Sequence, residues 1–129
     1  MKTFCSAKIQ NATVTDANLH YEGSITIDAE LMERCGIAPY EQVHVLNVSS
    51  GERIITYAIA GTKGQICLNG AAARLFQIGD KVIIIAYEQS PHLILPTILL
   101  MNDDNSMNRV LIGSHEDIRE RWNKNADDL

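Results

Sequence analysis

Aromatic residues are scarce in this chain, at 5% of the sequence, so aliphatic side chains must fill most of any hydrophobic core. Apolar runs of membrane-spanning length are also missing, because even the stretch 82–86 is soon followed by Glu88. Residues 1–8 contain no sustained apolar region and do not resemble a secretory signal. These absences predict a cytoplasmic protein that does not associate with membranes.

Cysteines and cations are few and dispersed. The three cysteines have neither the paired spacing of a zinc site nor the density of a disulfide scaffold, and they lie at Cys5, Cys35 and Cys67. The four histidines show no tight ligand spacing either, so we predict no metal ion. The formal net charge of -5 opposes nucleic-acid binding, which needs clustered cations. Local cations could still hold a small anion.

The 129 residues suit one compact domain, and their apolar pattern is mostly that of β-strands. Alternating apolar residues at 42–48 and 52–59 flank a Ser-Ser-Gly turn and predict a β-hairpin. Further strands are predicted at 65–68, 81–87, 97–101 and 109–112. The stretch 81–87 is nearly all apolar, which favours a central position in the sheet.

Short helices interrupt these strands. They are predicted at 29–35, 70–76 and 114–122, before a loosely ordered tail at 123–129. Asp28 can cap the first helix and Gly36 can end it, whereas Gly79 stops the second. Small strands with two short internal helices favour a mainly β fold, in which the sheet closes into a barrel rather than a sandwich.

The bond between Gly23 and Ser24 lies between two β-rich segments and is a candidate site of self-cleavage. Gly23 has no Cβ, so it can adopt backbone angles closed to other residues and leaves its carbonyl carbon open to the Ser24 hydroxyl. Attack would exchange the amide for an ester, β-elimination would leave a dehydroalanine, and hydrolysis would leave a pyruvoyl group on a new amino terminus. The ordinary alternative is that Gly-Ser marks a turn.

Three segments resemble aspartate 1-decarboxylase, a pyruvoyl-dependent family that makes β-alanine for pantothenate synthesis. They are residues 16–28, 47–59 and 66–73, in the family's order and approximate spacing, and the similarity continues through 79–84. The resemblance implies a double-psi β-barrel over 1–113 that is cut between residues 23 and 24, with 114–129 as a helix and tail of the same domain. It also implies a homotetramer with active sites at subunit boundaries.

The resemblance assigns the chemistry to individual positions. Ser24 becomes the covalent pyruvoyl group, whose ketone forms a Schiff base with the amine of L-aspartate and takes up electrons as carbon dioxide leaves. Tyr57 matches the proton donor that completes β-alanine. Thr56 matches the threonine that assists cleavage and contacts substrate. Without the family pattern, Thr56 and Tyr57 would be interpreted as ordinary strand residues.

The remaining matched positions concern substrate binding. Arg53 resembles a carboxylate clamp, since a guanidinium can hold a carboxylate through two hydrogen bonds, and Lys8 could assist with the second carboxylate. A loop and helix start match the family's main-chain contacts to substrate, and they comprise Asn69, Gly70, Ala71 and Ala72. Tyr21 resembles a neighbour of the cleavage site. Solvated cations and a tightly packed helix are the ordinary alternatives.

Two positions depart from the family pattern. Many members have a histidine where this chain has Gln10, which cannot act as an acid or base, and a frequent tryptophan is replaced by Leu46. The sequence leaves open whether maturation needs an accessory factor. Two other classes of function also stay open: an uncleaved, non-catalytic barrel, and an amino-terminal hydrolase in which Ser24 keeps its hydroxyl after the cut.

Overall fold

The computed structural model describes residues 1–112, and β-strands dominate that part of the chain. The strands are β1 (Lys2–Thr13), β2 (Asp16–Asn18), β3 (Ser24–Asp28), β4 (Gln42–Asn47), β5 (Arg53–Gly61), β6 (Ile66–Asn69), β7 (Lys81–Ser90), β8 (Thr97–Met101) and β9 (Met107–Ile112). Two short helices interrupt them, α1 (Ala29–Cys35) and a 3-10 helix (Gly70–Leu75). The helix predicted at 114–122 and the tail at 123–129 lie outside the described residues.

These strands form one mixed sheet in the order β2-β6-β3-β5-β4-β7-β1-β8-β9. β3 pairs in parallel with β5 and antiparallel with β6, while β1 pairs antiparallel with β7 and in parallel with β8. Parallel partners require crossover connections, in contrast to the tight turns of hairpins. The predicted mainly β fold with short helices is confirmed, and the mixed sheet is consistent with a double-psi β-barrel.

The predicted hairpin is confirmed, since β4 and β5 pair antiparallel from Gln42 opposite Tyr57 to Leu46 opposite Arg53. The apolar strand β7 lies between β4 and β1, which is the central position expected from its composition. The predicted strands at 65–68, 97–101 and 109–112 correspond to β6, β8 and β9. The local apolar pattern was therefore sufficient for these elements.

The long first strand, β1, has no counterpart among the predictions. Its pairing with β7 shifts register twice, between Cys5 and Ala7 and between Ile9 and Ala12. Each irregularity interrupts the two-residue period by which a strand is recognised in a sequence. The strand is fixed instead by neighbours on both sides, β7 and β8.

Aliphatic side chains fill the core, as the low aromatic content predicts. Ile9, Ile84 and Val45 come from adjacent strands, stand opposite one another in the sheet and are fully buried. Among the described residues, Phe76 is the one aromatic side chain in the buried core. β-Branched side chains suit such a sheet because their restricted rotamers pack well on a pleated surface.

Helix α1 confirms both predicted ends. The Asp28 carboxylate accepts a hydrogen bond from the Glu30 backbone N–H at 2.9 Å, which caps the first turn. Gly36 ends the helix in the left-handed conformation, with φ of 79°. The second Asp28 oxygen accepts from the Gly64 N–H at 2.8 Å, so the cap also ties the helix to the loop before β6.

The helix predicted at 70–76 is a 3-10 helix over Gly70–Leu75 and not an α-helix. Asn69 occupies its cap position, but the Asn69 side chain makes no capping hydrogen bond. That side chain points into the sheet and binds other side chains, so the first turn lacks the usual stabilisation. Phe76 is already extended and buried, which ends the helix one residue earlier than predicted.

Candidate active site

Ser24 is the first residue of β3, and the bond before it joins the exposed residues 19–23 to the interior of the sheet. Ser24 stands opposite Asn69 of β6 and is fully buried, whereas Gly23 is exposed. The chain therefore passes from the surface to the core within one peptide bond. This bond is the one that the sequence predicts to be cut.

Two hydrogen bonds hold the Ser24 hydroxyl. The Asn69 amide donates from Nδ2 to Ser24 Oγ at 2.9 Å, and the hydroxyl donates to the Glu22 carbonyl oxygen at 3.3 Å. The first is the shorter contact and joins two buried side chains. Ser24 thus has a fixed environment before any cleavage, in contrast to the freely rotating hydroxyl of a surface turn.

The Asn69 amide belongs to a wider network that sequence reasoning missed. Nδ2 also donates to Thr26 Oγ1 at 2.9 Å, and Oδ1 accepts from the Cys67 thiol at 3.2 Å. Thr26 stands opposite Cys67 in the β3–β6 register, so these side chains lie on one face of the two strands. We call Ser24, Thr26, Cys67 and Asn69 the buried network. The β3–β6 pairing creates it, and no short-range motif signals that pairing.

Backbone freedom is required at Gly70 and not at Gly23, contrary to expectation. Gly23 has no positive φ, and a Cβ placed there would meet no atom within 4 Å. Gly70 has φ of 67°, and a Cβ there would lie 2.9 Å from the Gly23 Cα and N and 3.0 Å from the Tyr21 carbonyl oxygen. Gly70 therefore allows the backbone before Ser24 to approach the 3-10 helix closely.

An open cleft of about 410 Å³ lies beside the cleavage bond. Its walls come from the turn before β3, from β5 and from the 3-10 helix, and the lining residues are Gly23, Ile54, Ile55, Thr56, Tyr57, Ala71, Ala72 and Leu75. Five of the predicted site residues thus meet at one cleft, namely Gly23, Thr56, Tyr57, Ala71 and Ala72. The two alanines leave room for a ligand because their side chains end at Cβ.

Arg53 and Lys8 do not line this cleft. Across the sheet, Lys8 pairs with Ile85, Ile85 with His44, and His44 with Ile55. Arg53 and Tyr57 lie two residues to either side of Ile55, so both share the sheet face of Lys8. We call this surface the outer face. Within the described residues, neither cation has a carboxylate within salt-bridge distance.

The outer face carries exposed apolar groups as well as cations. Ile55 is 62% exposed and Tyr40 is 77% exposed, and the Tyr40 ring lies 6.2 Å from that of Tyr57. Leu46 stands opposite Arg53 on the same face. The other position that departs from the family pattern, Gln10, is exposed on β1. An apolar surface that includes cations is suited to contact with another molecule.

Tyr21, the remaining predicted residue, contributes to a second groove of about 380 Å³. Polar side chains predominate there, and the lining residues are Asp16, Asn18, Tyr21, Thr26, Ile59, Ala60, Gly61, Thr62, Gln65, Cys67 and Asn69. The groove and the cleft share no lining residue. Three members of the buried network, Thr26, Cys67 and Asn69, thus border the groove and not the cleft.

Taken together, the fold and the site define a small mixed-sheet β-barrel with a buried serine beside an open cleft. Among residues 1–112, no group of three or more histidine, cysteine or acidic side chains is arranged to hold a metal ion. In the same part of the chain, no helix has the length and apolarity needed to cross a bilayer.

Known proteins narrow this class to one family. The family model for aspartate decarboxylase matches residues 1–108. The aspartate 1-decarboxylase of Leptospira biflexa is 57% identical over 96 residues, covering 73% of this chain and 81% of that protein. The proteins of the same name from Caldicellulosiruptor saccharolyticus and Exiguobacterium sibiricum are 54% and 50% identical, covering 78% and 86% of this chain and 84% and 92% of their own lengths. The chain belongs to the aspartate decarboxylase family.

Proposed function

We propose that this chain cuts itself between Gly23 and Ser24 and then decarboxylates L-aspartate to β-alanine and carbon dioxide. The observation that carries the proposal is the position of Ser24. It is fully buried and hydrogen-bonded to Asn69, and it directly follows a glycine that lines a cleft with Thr56 and Tyr57. The relatives named aspartate 1-decarboxylase support the choice of substrate.

Self-cleavage begins when Ser24 Oγ attacks the Gly23 carbonyl carbon. An ester bond forms, the amide bond breaks, and the hydroxyl proton is transferred to the Ser24 nitrogen. Loss of the Ser24 Cα proton then breaks the Cβ–O bond, which releases the Gly23 carboxylate and leaves dehydroalanine. Water replaces the nitrogen, ammonia leaves, and the new terminus carries a pyruvoyl group. Gly23 is exposed, and burial of Ser24 limits where the hydroxyl can point.

The residues around Ser24 are suited to such a group. A pyruvoyl group would supply an electron sink for the carbanion that decarboxylation produces. The neighbouring cleft has Ala71 and Ala72 on one wall, so a small amino acid can approach the chain at Gly23 without a steric clash. Asn69 stands opposite residue 24 in the β3–β6 pairing, so its amide stays beside the new terminus after the Ser24 oxygen has left with Gly23.

Thr56 and Tyr57 act at different stages of the proposal. Adjacent strand residues point to opposite faces, so the two side chains differ in direction although both residues line the cleft. The Thr56 hydroxyl donates to the oxyanion formed at Gly23 during cleavage. The Tyr57 hydroxyl gives a proton to the product carbon after carbon dioxide has left. Both residues line the cleft beside Gly23, which supports these assignments.

Arg53 and Lys8 bind the carboxylates of L-aspartate from a second copy of the chain. Both lie on the outer face and outside the cleft of their own chain. The outer face is partly apolar, with Ile55 exposed, and it can pack against another subunit. We therefore include the homotetramer, with sites at subunit boundaries, in the proposal. The proposal also includes a cytoplasmic location. It leaves room for an accessory maturation factor.

Product analysis on confirmed cut protein tests the activity. We expect stoichiometric β-alanine and carbon dioxide from L-aspartate, and much slower turnover of L-asparagine, which lacks the second carboxylate for the cations. A chain that stays uncut and releases no β-alanine would favour the uncleaved, non-catalytic barrel, and fully cut protein that releases none would contradict the proposed activity. Hydrolysis of an ester or amide substrate by a chain with an intact Ser24 hydroxyl would favour the amino-terminal hydrolase.

A further inference from the structure

One thiol contacts the amide that holds Ser24, and the proposed reaction does not yet use it. Cys67 Sγ lies 3.2 Å from Asn69 Oδ1, within the buried network. The Cys67 residue is 4% exposed and stands opposite Thr26 in the β3–β6 register. Its position is therefore set by the sheet, and its one polar hydrogen is directed at a site residue.

The thiol is the donor in this contact, because the Asn69 Oδ1 oxygen can only accept. Burial raises the pKa of the Cys67 thiol, and the nearby Asp16 carboxylate raises it further, so the thiol retains its proton at neutral pH. The other acceptor within reach, the Leu68 carbonyl oxygen, is more distant at 3.9 Å. The Cys67 thiol therefore donates its hydrogen to Asn69 Oδ1.

A donor at this position selects one orientation of the Asn69 amide. A side-chain amide can rotate by half a turn, which exchanges its oxygen and nitrogen. The rotated form would place Nδ2 on the Cys67 sulfur, which is only a weak acceptor, and would leave Ser24 Oγ without a donor. With Oδ1 on the thiol, Nδ2 donates to Ser24 Oγ and Thr26 Oγ1, each at 2.9 Å.

We propose that Cys67 is a positioning residue for self-cleavage, whose thiol holds the Asn69 amide with Nδ2 facing Ser24 Oγ. The inference rests on the proposed function, because it concerns the attack of Ser24 on Gly23. As the Ser24 hydroxyl loses its proton, the Nδ2 hydrogen stabilises the charge that develops on oxygen. The Cys67 thiol itself exchanges no proton or electron in the reaction.

The rate of self-cleavage in Cys67 variants tests this inference, measured as the cut fraction by intact mass over time. We expect Cys67→Ala and Cys67→Val, which lack a donor, to be cut about tenfold more slowly than the unchanged chain. Valine retains volume in the strand, so it reports on the donor even if the alanine variant folds poorly. We expect Cys67→Ser, which restores a donor, to recover most of the rate.

The matched control is Cys35→Ala, which removes a buried thiol that donates to the Met32 carbonyl oxygen, away from the site. It should be cut at the unchanged rate. A second comparison uses Asn69→Ala, in which the thiol has no amide to orient. Adding Cys67→Val to that background should slow the cut no further, because coupled residues are non-additive.

Three outcomes would overturn the inference. They are a Cys67→Val chain cut at the unchanged rate, a Cys67→Ser chain cut no faster than Cys67→Val, and a full additional effect of Cys67→Val in the Asn69→Ala background. If the unchanged chain is never cut, the proposed function fails and this inference fails with it. If the unchanged chain is cut and the Cys67 variants behave identically, the inference alone fails.

Discussion

The cleft and the buried network meet at one peptide bond, yet they differ in almost every physical property. The cleft is open and is lined by Gly23, Thr56 and Tyr57 together with small or apolar residues. The buried network contains Ser24 and Asn69, both within the sheet, with every hydroxyl and amide group engaged. In the proposed function, this difference corresponds to two separate roles: the cleft binds the substrate, and the buried network holds Ser24 for cleavage.

Replacement of Ser24 removes the residue on which both regions depend, and the largest effect is expected there. Ser24→Ala leaves no hydroxyl to attack Gly23 and no precursor of the pyruvoyl group. We expect a single uncut chain by intact mass and complete loss of β-alanine formation. The control Ser49→Ala, in the exposed turn after β4, should be cut and active. A cut Ser24→Ala chain would contradict the assignment.

Tyr57→Phe distinguishes turnover in the cleft from cleavage at the buried network. Removal of the hydroxyl deletes the proposed proton donor, and general-acid groups typically contribute at least about 100-fold in rate. We expect cleavage at the unchanged rate and turnover per cut chain lower by about that factor. Tyr40→Phe is the matched control, because the Tyr40 ring lies 6.2 Å from that of Tyr57. Near-normal turnover by Tyr57→Phe would rule out the role.

Asn69→Ala tests the role of the buried network in cleavage. It removes the hydrogen bond to Ser24 Oγ, and a bond to a group that becomes charged contributes about 1.5–3 kcal/mol, or roughly 10- to 100-fold in rate. We expect cleavage to slow by that factor when the cut fraction is followed over time. Asn18→Ala serves as the control, because within residues 1–112 the Asn18 side chain hydrogen-bonds to the His20 N–H and not to a member of the buried network. Equal cleavage rates for the two variants would be inconsistent with the proposal.

We expect the smallest effect from replacing the two glycines that meet beside the cleavage bond, Gly23 and Gly70. A Cβ at Gly70 would clash with Gly23 and require a strained positive φ, whereas a Cβ at Gly23 would meet open space. In the uncut Ser24→Ala background, we expect Gly70→Ala to lower the free energy of unfolding by about 1–3 kcal/mol and Gly23→Ala to change it little. Denaturant unfolding measures both. The reverse order would show that the junction is assigned incorrectly.

The sequence predicted those elements whose signals are local. Helix α1 follows from Asp28 and Gly36, and the β4–β5 hairpin follows from alternation around a turn. The buried network could not be predicted, because the contact of Asn69 with Ser24 joins residues 45 positions apart through the β3–β6 register. The positive φ of Gly70 likewise depends on the approach of another segment. The family resemblance indicated most cleft residues, but it did not indicate Thr26 or Cys67.

The most direct test of the account is the intact mass of the purified, unchanged chain after prolonged incubation. We predict two fragments, 1–23 and 24–129, with the larger one lighter by one ammonia than the product of simple hydrolysis, because Ser24 has become a pyruvoyl group. Treatment with borohydride in the presence of L-aspartate should then link the substrate amine to that fragment. A single uncut chain, or a fragment that retains the full serine mass, would contradict cleavage at Gly23-Ser24 with conversion of Ser24 to a pyruvoyl group.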